Sequence, residues 1–317
     1  MKALVITDYD SAPALRDLPV PEVGPGQVRL RVKAAGLNKI DSMIAAGMLK
    51  GQAEYRFPVV LGRDAAGIVD ALGEGVEDVA VGDEVIGHEL LAEGTLHDGT
   101  LAEYAILPGR AIAPKPARAD FVTAAAVPLA GATALQAVDA VDAGPGRTIL
   151  IAGASGGIGS FAVQLAVSRG ARVIATGLPD DAERLRGLGA AEVVDYRGDV
   201  PLLVRAAHPE GVDGLIDLVS RDVDGNVALS VVVRDGGKVA STLYVADQEK
   251  LAARGITGTN VVASPVRETL TTLGEEIDRG RLRVDVEETL PLENAASGLD
   301  TLATGHARGK IVVTVGG

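Results

Sequence analysis

The run Thr148-Ile-Leu-Ile-Ala-Gly-Ala-Ser-Gly-Gly-Ile-Gly159 constrains this chain more than any other stretch. An apolar, β-branched run breaks into glycines and then into a helical pattern that continues as Ser160-Phe-Ala-Val-Gln-Leu-Ala-Val-Ser168. A strand, a tight turn and a helix N-terminus read this way, and the free N–H groups of such a helix start face an anion favourably. In the dinucleotide fingerprint G-x-G-x-x-G, Gly156 lets the backbone approach a pyrophosphate and Gly159 lets the helix pack close on its strand. Ala154 stands where the first glycine of that pattern belongs, with Gly153 one residue early. Ala154, Ser155, Gly156, Gly157, Ile158 and Gly159 are thus candidate cofactor contacts. A plain strand-to-helix turn would read the same, so the flanking chain decides.

After the helix come strand Ala171–Ala175, helix Asp180–Leu188 stopped by Gly189, and strand Glu192–Asp195. Strand Val212–Val219, a helical stretch at Val223–Val233, strand Gly237–Ser241 and a sixth strand at Ile256–Val262 follow. Short strands alternating with helices at this spacing pair in parallel, with right-handed crossovers and helices on both faces of the sheet. The expected fold class is α/β, with a doubly wound Rossmann domain of six parallel strands over residues 121–280.

Residues 1–120 read differently. Strand-like segments at Met1–Thr7, Gln27–Ala34, Val59–Leu61, Ala66–Leu72, Glu84–Ile86 and Ala102–Leu107 are separated by glycine and proline turns, the pattern of a small irregular β-barrel. Ala117–Ala143 reads as helical and leads into the nucleotide domain. At 317 residues, 47% hydrophobic, the chain can fill two cores. A formal net charge of -13 without any basic run argues against nucleic acid or an anionic membrane as partner. Cysteine is absent, which removes disulfides and thiolate ligands and leaves four histidines (His88, His97, His208, His306) and carboxylates for any metal. The start is too short in apolar residues for a secretory signal and no run is long enough to span a membrane, so a cytoplasmic location is the expectation.

Several motifs, in order along the chain, resemble the medium-chain dehydrogenase/reductase superfamily and within it the zinc-free quinone oxidoreductase branch. They are Asn38-Lys-Ile-Asp41, Pro58-Val-Val-Leu-Gly-Arg-Asp-Ala-Ala-Gly-Ile-Val69, Gly73-Glu-Gly-Val76, Gly82-Asp-Glu-Val85, Gly99-Thr-Leu-Ala-Glu-Tyr104, the glycine turn and Gly305-His-Ala-Arg-Gly-Lys-Ile-Val-Val313. The resemblance implies that residues 1–120 form a GroES-like catalytic domain completed by 281–317. It also implies a homodimer paired through the sheet edge at Thr257–Ser264.

Zinc-dependent members place Gly-His-Glu where this chain has Gly62-Arg63-Asp64, and supply a ligating Cys before it where this chain has Gly36-Leu-Asn38. The resemblance therefore implies a zinc-independent reductase, with NADPH delivering hydride to a small-molecule electrophile, a quinone or an α,β-unsaturated carbonyl. Two alternatives stay open: an enoyl-thioester or polyketide-intermediate reductase, and a non-catalytic NADPH-binding sensor. Asn38 matches the motif residue at the substrate oxygen or the nicotinamide. Lys39 replaces the motif's proline and is either a pocket donor or a solvated charge. Asp41 is expected to cap a helix starting at Ser42 and orient Asn38, or to act as an acid. Tyr55 either lines the substrate pocket or covers a hydrophobic loop. These three, Asn38, Asp41 and Tyr55, are the candidate catalytic residues.

Asp64 is expected to pair with Arg63 or backbone. His88, Glu89 and His97 are the residues a metal would use, but histidines beside glycine turns read as surface residues, and no metal is assigned. No acid ends the second Rossmann strand, where Thr176 and Gly177 stand, so a 2′-phosphate is permitted and NADPH is preferred over NADH. Thr176, Gly177, Arg184 and Tyr196 map to the family's 2′-phosphate region, and Asp180, Asp181 and Glu183 crowd Arg184. Thr133, Val219, Ser241 and Leu243 should flank the nicotinamide and adenosine, and Asn38 and Lys310 complete the cofactor set. Substrate choice is placed in Ala45–Phe57 and near Leu90–Thr100.

Overall fold

In the computed structural model, which describes residues 1–90, 94–305 and 307–316, the chain forms two compact units. One comprises Met1–Ala130, Ser264–Gly280 and Val284–Gly317, the other Gly131–Ala263 with Arg281–Arg283.

The first unit is built on strands β1 (Lys2–Ile6), β2 (Ala14–Asp17), β3 (Gln27–Gly36), β4 (Glu54–Tyr55), β5 (Val59–Val60), β6 (Asp64–Leu72), β7 (Glu84–His88), β8 (Thr95–Leu96), β9 (Tyr104–Pro108) and β10 (Ile112–Pro114). Helix α1 (Lys39–Ala45) follows β3, and α2 (Phe121–Ala125) follows β10. The alternation read in β3 is the one the fold uses: Val28, Leu30 and Val32 are buried, and Arg29 turns outward to pair with Asp70 at 2.7 Å.

Helix α3 (Pro128–Ala140) leads into the second unit, where six strands, β11 (Thr148–Ala152), β12 (Arg172–Gly177), β13 (Glu192–Asp195), β14 (Val212–Asp217), β15 (Val233–Ser241) and β16 (Thr257–Asn260), all pair in parallel in the order β13-β12-β11-β14-β15-β16. The order reverses between β11 and β14. In such sheets the crevice beyond the strands' carboxyl ends at that reversal is where dinucleotides bind. The connecting helices include α4 (Gly157–Ser168), α5 (Ala182–Gly187), α6 (Val200–Ala207), α7 (Val223–Ser230) and α8 (Gln248–Ala252). Helices α6 and α8 fall outside the sequence reading, although α6 carried a start signal: Asp199 caps it by accepting from Leu202 N–H at 2.9 Å, and Pro201 lies in its first turn.

The chain then returns through α9 (Arg267–Asp278) to β17 (Val286–Pro291), α10 (Ala295–Thr304) and β18 (Lys310–Thr314). The second domain was read as running to residue 280, whereas α9 packs with the first unit. There Arg267 donates to the Gly109 carbonyl at 2.9 Å and pairs with Asp78 at 3.3 Å. The larger sheet of this unit runs β10-β7-β6-β3-β18-β17. One edge of β3 is taken by β6; along the other, Gln27–Arg31 meets β9 and Ala34–Gly36 meets β18. That split is the arrangement that positions the site, because it sets the start of β18 beside the end of β3. Leu4, Leu30, Leu37, Leu61, Leu107 and Ile311 belong to the core beneath.

Candidate functional site

In the first unit a buried polar cluster forms where β3, β6, β7 and β18 meet. Asp64 opens β6, and its Cα is in register with Gly36 on one neighbour and His88 on the other. Its carboxylate is wholly enclosed and saturated: Oδ2 accepts from Asn38 Nδ2 at 2.8 Å, Oδ1 lies 2.6 Å from His88 Nδ1, and the Leu129 N–H reaches both oxygens at 3.1 and 3.2 Å. Facing a carboxylate, His88 Nδ1 carries a ring proton. Lys310, the first residue of β18, is 4% exposed; its Nζ donates to Leu37 O at 2.7 Å and Asn38 Oδ1 at 2.5 Å and stands 3.9 Å from Asp64 Oδ2. Burial lowers its pKa, against the raising pull of Asp64 and Asp41. The Asn38 carboxamide is thereby fixed in one orientation, oxygen to the ammonium and nitrogen to the carboxylate, since the reverse would set donor against donor. Among the described residues its second amide hydrogen has only the Gly36 carbonyl, at a long 3.4 Å.

Asn38 is also the N-cap of α1, and its backbone N–H donates to Asp41 Oδ2 at 2.7 Å. The helix thus begins at Lys39 rather than at Ser42, because Asn38 already occupies the cap. Asp41 does hold Asn38 from behind. Desolvation pushes its carboxyl up to about 7, against the lowering pull of the Asn38 N–H, and Oδ1 is enclosed without a hydrogen-bond partner. Lys39 is exposed at the first helical position.

Of the two partners expected for Asp64, the backbone is the one used, through the Leu129 N–H, and Arg63 pairs elsewhere. Its guanidinium, 1% exposed, pairs with Glu89 and not with Asp64, and burial draws its pKa down to about 10. His88, read as a surface residue, is 4% exposed, because its ring is the partner that the enclosed Asp64 requires. His97 is exposed, with Nδ1 2.9 Å from the Arg56 carbonyl, and His208 pairs with Glu192 at 3.0 Å. His306, like Leu91, Ala92 and Glu93 of the expected specificity segment, lies outside the described residues. Among the described residues no group of three or more His, Asp or Glu side chains is arranged to hold a metal ion. Tyr55 lies at the other end of α1, its hydroxyl donating to Ile44 O at 3.3 Å and its ring packed with Tyr9 and Phe57 at centroid distances of 4.9 and 5.7 Å.

The second unit builds its site from backbone. β11 runs into Gly153, whose φ of 85° is left-handed and which supplies the tight turn that the shifted glycine pattern left in question. Gly156 caps α4, and the N–H groups of its first turn have no partner within the helix. A Cβ on Gly159 would sit 2.2 Å from Gly153 O and 2.6 Å from Ala154 Cα, so only glycine lets this helix approach its turn. Two side chains hold the loop: Thr176 Oγ1 accepts the Gly153 N–H at 3.0 Å, and Arg184 Nη2 donates to Ser155 O at 2.8 Å. The turn fits a bound pyrophosphate on these grounds. Thr133 on α3 is 6% exposed.

Just beyond the carboxyl ends of β13, β14 and β15, apolar side chains stand open: Tyr196 is 51%, Val219 50% and Leu243 43% exposed. Ser241 is buried, and its hydroxyl accepts the Leu243 N–H at 3.3 Å. Asp217 was missed by sequence reasoning. It is 1% exposed and accepts from Val219 N–H and Ser220 N–H at 3.0 Å and from Asn226 Nδ2 at 2.7 Å, so it shapes the loop that presents Val219. Its signal was an acid within the apolar run Leu215-Ile-Asp-Leu-Val219, a position that burial makes costly without such partners.

Residues 24–117 match the family model described as alcohol dehydrogenase GroES-like domain, and residues 188–313 the one described as zinc-binding dehydrogenase. The chain is 33% identical to an NADPH-dependent alkenal/one oxidoreductase, chloroplastic, of Arabidopsis thaliana over 99% of its own length and 79% of that protein. Among solved structures, it is 30% identical to the quinone oxidoreductase from Coxiella burnetii, with a TM-score of 0.89 over 100% of this chain and 99% of that one. It is 33% identical to an NAD-dependent alcohol dehydrogenase, with a TM-score of 0.88 and full coverage of both.

Proposed function

Because this chain belongs to the medium-chain dehydrogenase/reductase superfamily, a family of oxidoreductases, we propose that it is an NADPH-dependent, zinc-independent reductase of quinones or α,β-unsaturated carbonyls. The observation that carries this reading is the buried cluster around Asp64. One cation, the Lys310 ammonium 3.9 Å from Asp64 Oδ2, already occupies it, and by the family resemblance Gly36-Leu-Asn38 and Arg63 stand where zinc-dependent members place ligands. A dication added there would meet like charge at low dielectric with no thiolate and a single imidazole, His88, already bonded to Asp64, so the donor set does not fit zinc.

A bound dihydronicotinamide would supply hydride. The second amide hydrogen of Asn38, held in place by Lys310 and Asp64, would donate to the electrophile's oxygen as charge builds there. The Gly156–Gly159 turn would hold the pyrophosphate, Thr176 and Arg184 would keep that turn in shape, and Thr133, Gly177, Tyr196, Val219, Ser241 and Leu243 would flank the rest of the dinucleotide. NADPH is favoured over NADH because β12 ends in Thr176-Gly177, with no acid there to repel a 2′-phosphate. The exposed edge β16 would pair across a homodimer, which light scattering on the purified chain would detect.

Anaerobic oxidation of NADPH and, separately, NADH by a small quinone and by an enone tests the reading, with an alcohol plus NADP as control. We expect turnover with quinone or enone, preference for NADPH and none with the alcohol, unchanged by a chelator. Alcohol oxidation that a chelator abolishes would reject zinc independence.

A further inference from the structure

Hydride transfer to an enone leaves an enolate, and the proton that completes the product must arrive on carbon. We infer that His88, held by Asp64, is the proton donor for this step. The inference rests on the reductase reading above.

The geometry separates His88 from the other ionisable side chains of the cluster. Lys310 has its N–H groups directed at Leu37 O, Asn38 Oδ1 and Asp64. Arg63 is paired with Glu89, the Tyr55 hydroxyl with Ile44 O, and the free oxygen of Asp41 is fully enclosed. His88 differs: Nδ1 is committed to Asp64 at 2.6 Å, while Nε2 has no hydrogen-bond partner among the described residues and the ring keeps 4% exposure. An imidazole oriented through one nitrogen by a carboxylate, with the other nitrogen uncommitted, is the arrangement general acids and bases use. Asp64 is itself fixed by the Leu129 N–H and by Asn38, so the ring and the amide that would hold the substrate oxygen are anchored on one carboxylate.

Hydride supplied by the dihydronicotinamide, whose C4–H bond would break, forms the Cβ–H bond, and the alkene pair moves through the carbonyl to give the enolate oxygen its charge. The Nε2–H bond of the imidazolium then breaks, its proton forms the Cα–H bond, and the enolate pair returns to C=O. The neutral ring takes a proton back from solvent, so that one NADPH and one proton are consumed per alkene reduced. A quinone needs less of this, because its reduced form is protonated on oxygen, which exchanges rapidly with water.

The test compares His88→Gln with the unaltered chain on a quinone and on an α-methyl enone in D2O, scoring turnover and the face of deuterium addition at Cα. NADPH affinity by fluorescence and the thermal midpoint are measured alongside. We expect turnover of the enone to fall about 100-fold, at least tenfold more than turnover of the quinone, with deuterium delivered to both faces and NADPH affinity kept. His88→Asn should behave likewise. Equal losses on both substrates with single-face deuteration retained would overturn the inference, because a purely structural histidine would act on both alike. If the unaltered chain oxidises NADPH with neither substrate, the reductase reading falls and takes this inference with it; turnover by the unaltered chain with unchanged facial selectivity in the variant removes this inference alone.

Discussion

The two units build their candidate sites by opposite means. The nucleotide unit uses main chain: a left-handed Gly153, a cap at Gly156, a bare Gly159 and the open N–H groups of α4, all within seven consecutive residues. The GroES-like unit uses side chains from β6, β7, β18 and the cap of α1, separated by as many as 272 positions in the case of Asn38 and Lys310. A backbone site is robust to most side-chain changes and fragile at its glycines. A side-chain site concentrates its vulnerability in the group that the others share, which here is Asp64.

That contrast can be broken most directly at its hub. Asp64→Ala would leave Lys310 and His88 buried without their carboxylate, and breaking buried pairs costs about 3–5 kcal/mol. Denaturant unfolding should register that loss, and a change below about 1 kcal/mol would show that the cluster is not held together by Asp64. In the other unit the weak point is Gly159. Its replacement by Ala forces the helix away from Gly153 O, for about 1–3 kcal/mol and about tenfold weaker NADPH binding, read by thermal unfolding and fluorescence titration; full affinity would mean the turn tolerates a Cβ.

A finer difference between the units is titration. Asp41 holds its proton up to about pH 7 in the folded chain against 3.8 as its ordinary value, so the folded state binds more protons between those limits. Stability should therefore fall as pH rises from about 4 to about 7, by at most about 1.4 kcal/mol per pH unit from this group, and then level off. Asp41→Asn keeps an acceptor for the Asn38 N–H and should flatten this slope. An unchanged profile would assign the slope to other groups. Smallest of all is Lys39→Gln: an exposed first-turn residue beside Asn38, it should shift stability by less than about 0.5 kcal/mol and leave turnover intact. A large loss of turnover would make Lys39 a pocket donor after all.

The nucleotide unit was legible because its rules are local. Strand length, glycine punctuation and helical period fixed six parallel strands, and the only strand boundaries that moved did so by a few residues, as where β14 ends at Asp217 because that side chain turns back onto Val219 and Ser220. In the other unit alternation marked β3 and turn residues bounded five further strands, whereas the short β2, β4, β8 and β10 went unread because segments of two to four residues carry too little pattern. The cluster was not legible. Asn38 and Asp41 could be named from their motif, but nothing near His88 in the chain marks it as buried, and nothing near Arg63 names Glu89 as its partner.

What the sequence determined alone was therefore the α/β class and the glycine turn, each set by steric constraints among residues a few positions apart, whereas the cap of α1, expected at Asp41, falls on Asn38. Only the tertiary structure decided which charges meet. The register of β6 against β7 sets Asp64 opposite His88, and the return of β18 along β3 brings Lys310 to Asn38. Once these polar groups are enclosed, the cost of leaving any of them unpaired selects the partners, and that cost exists only when the strands have come together.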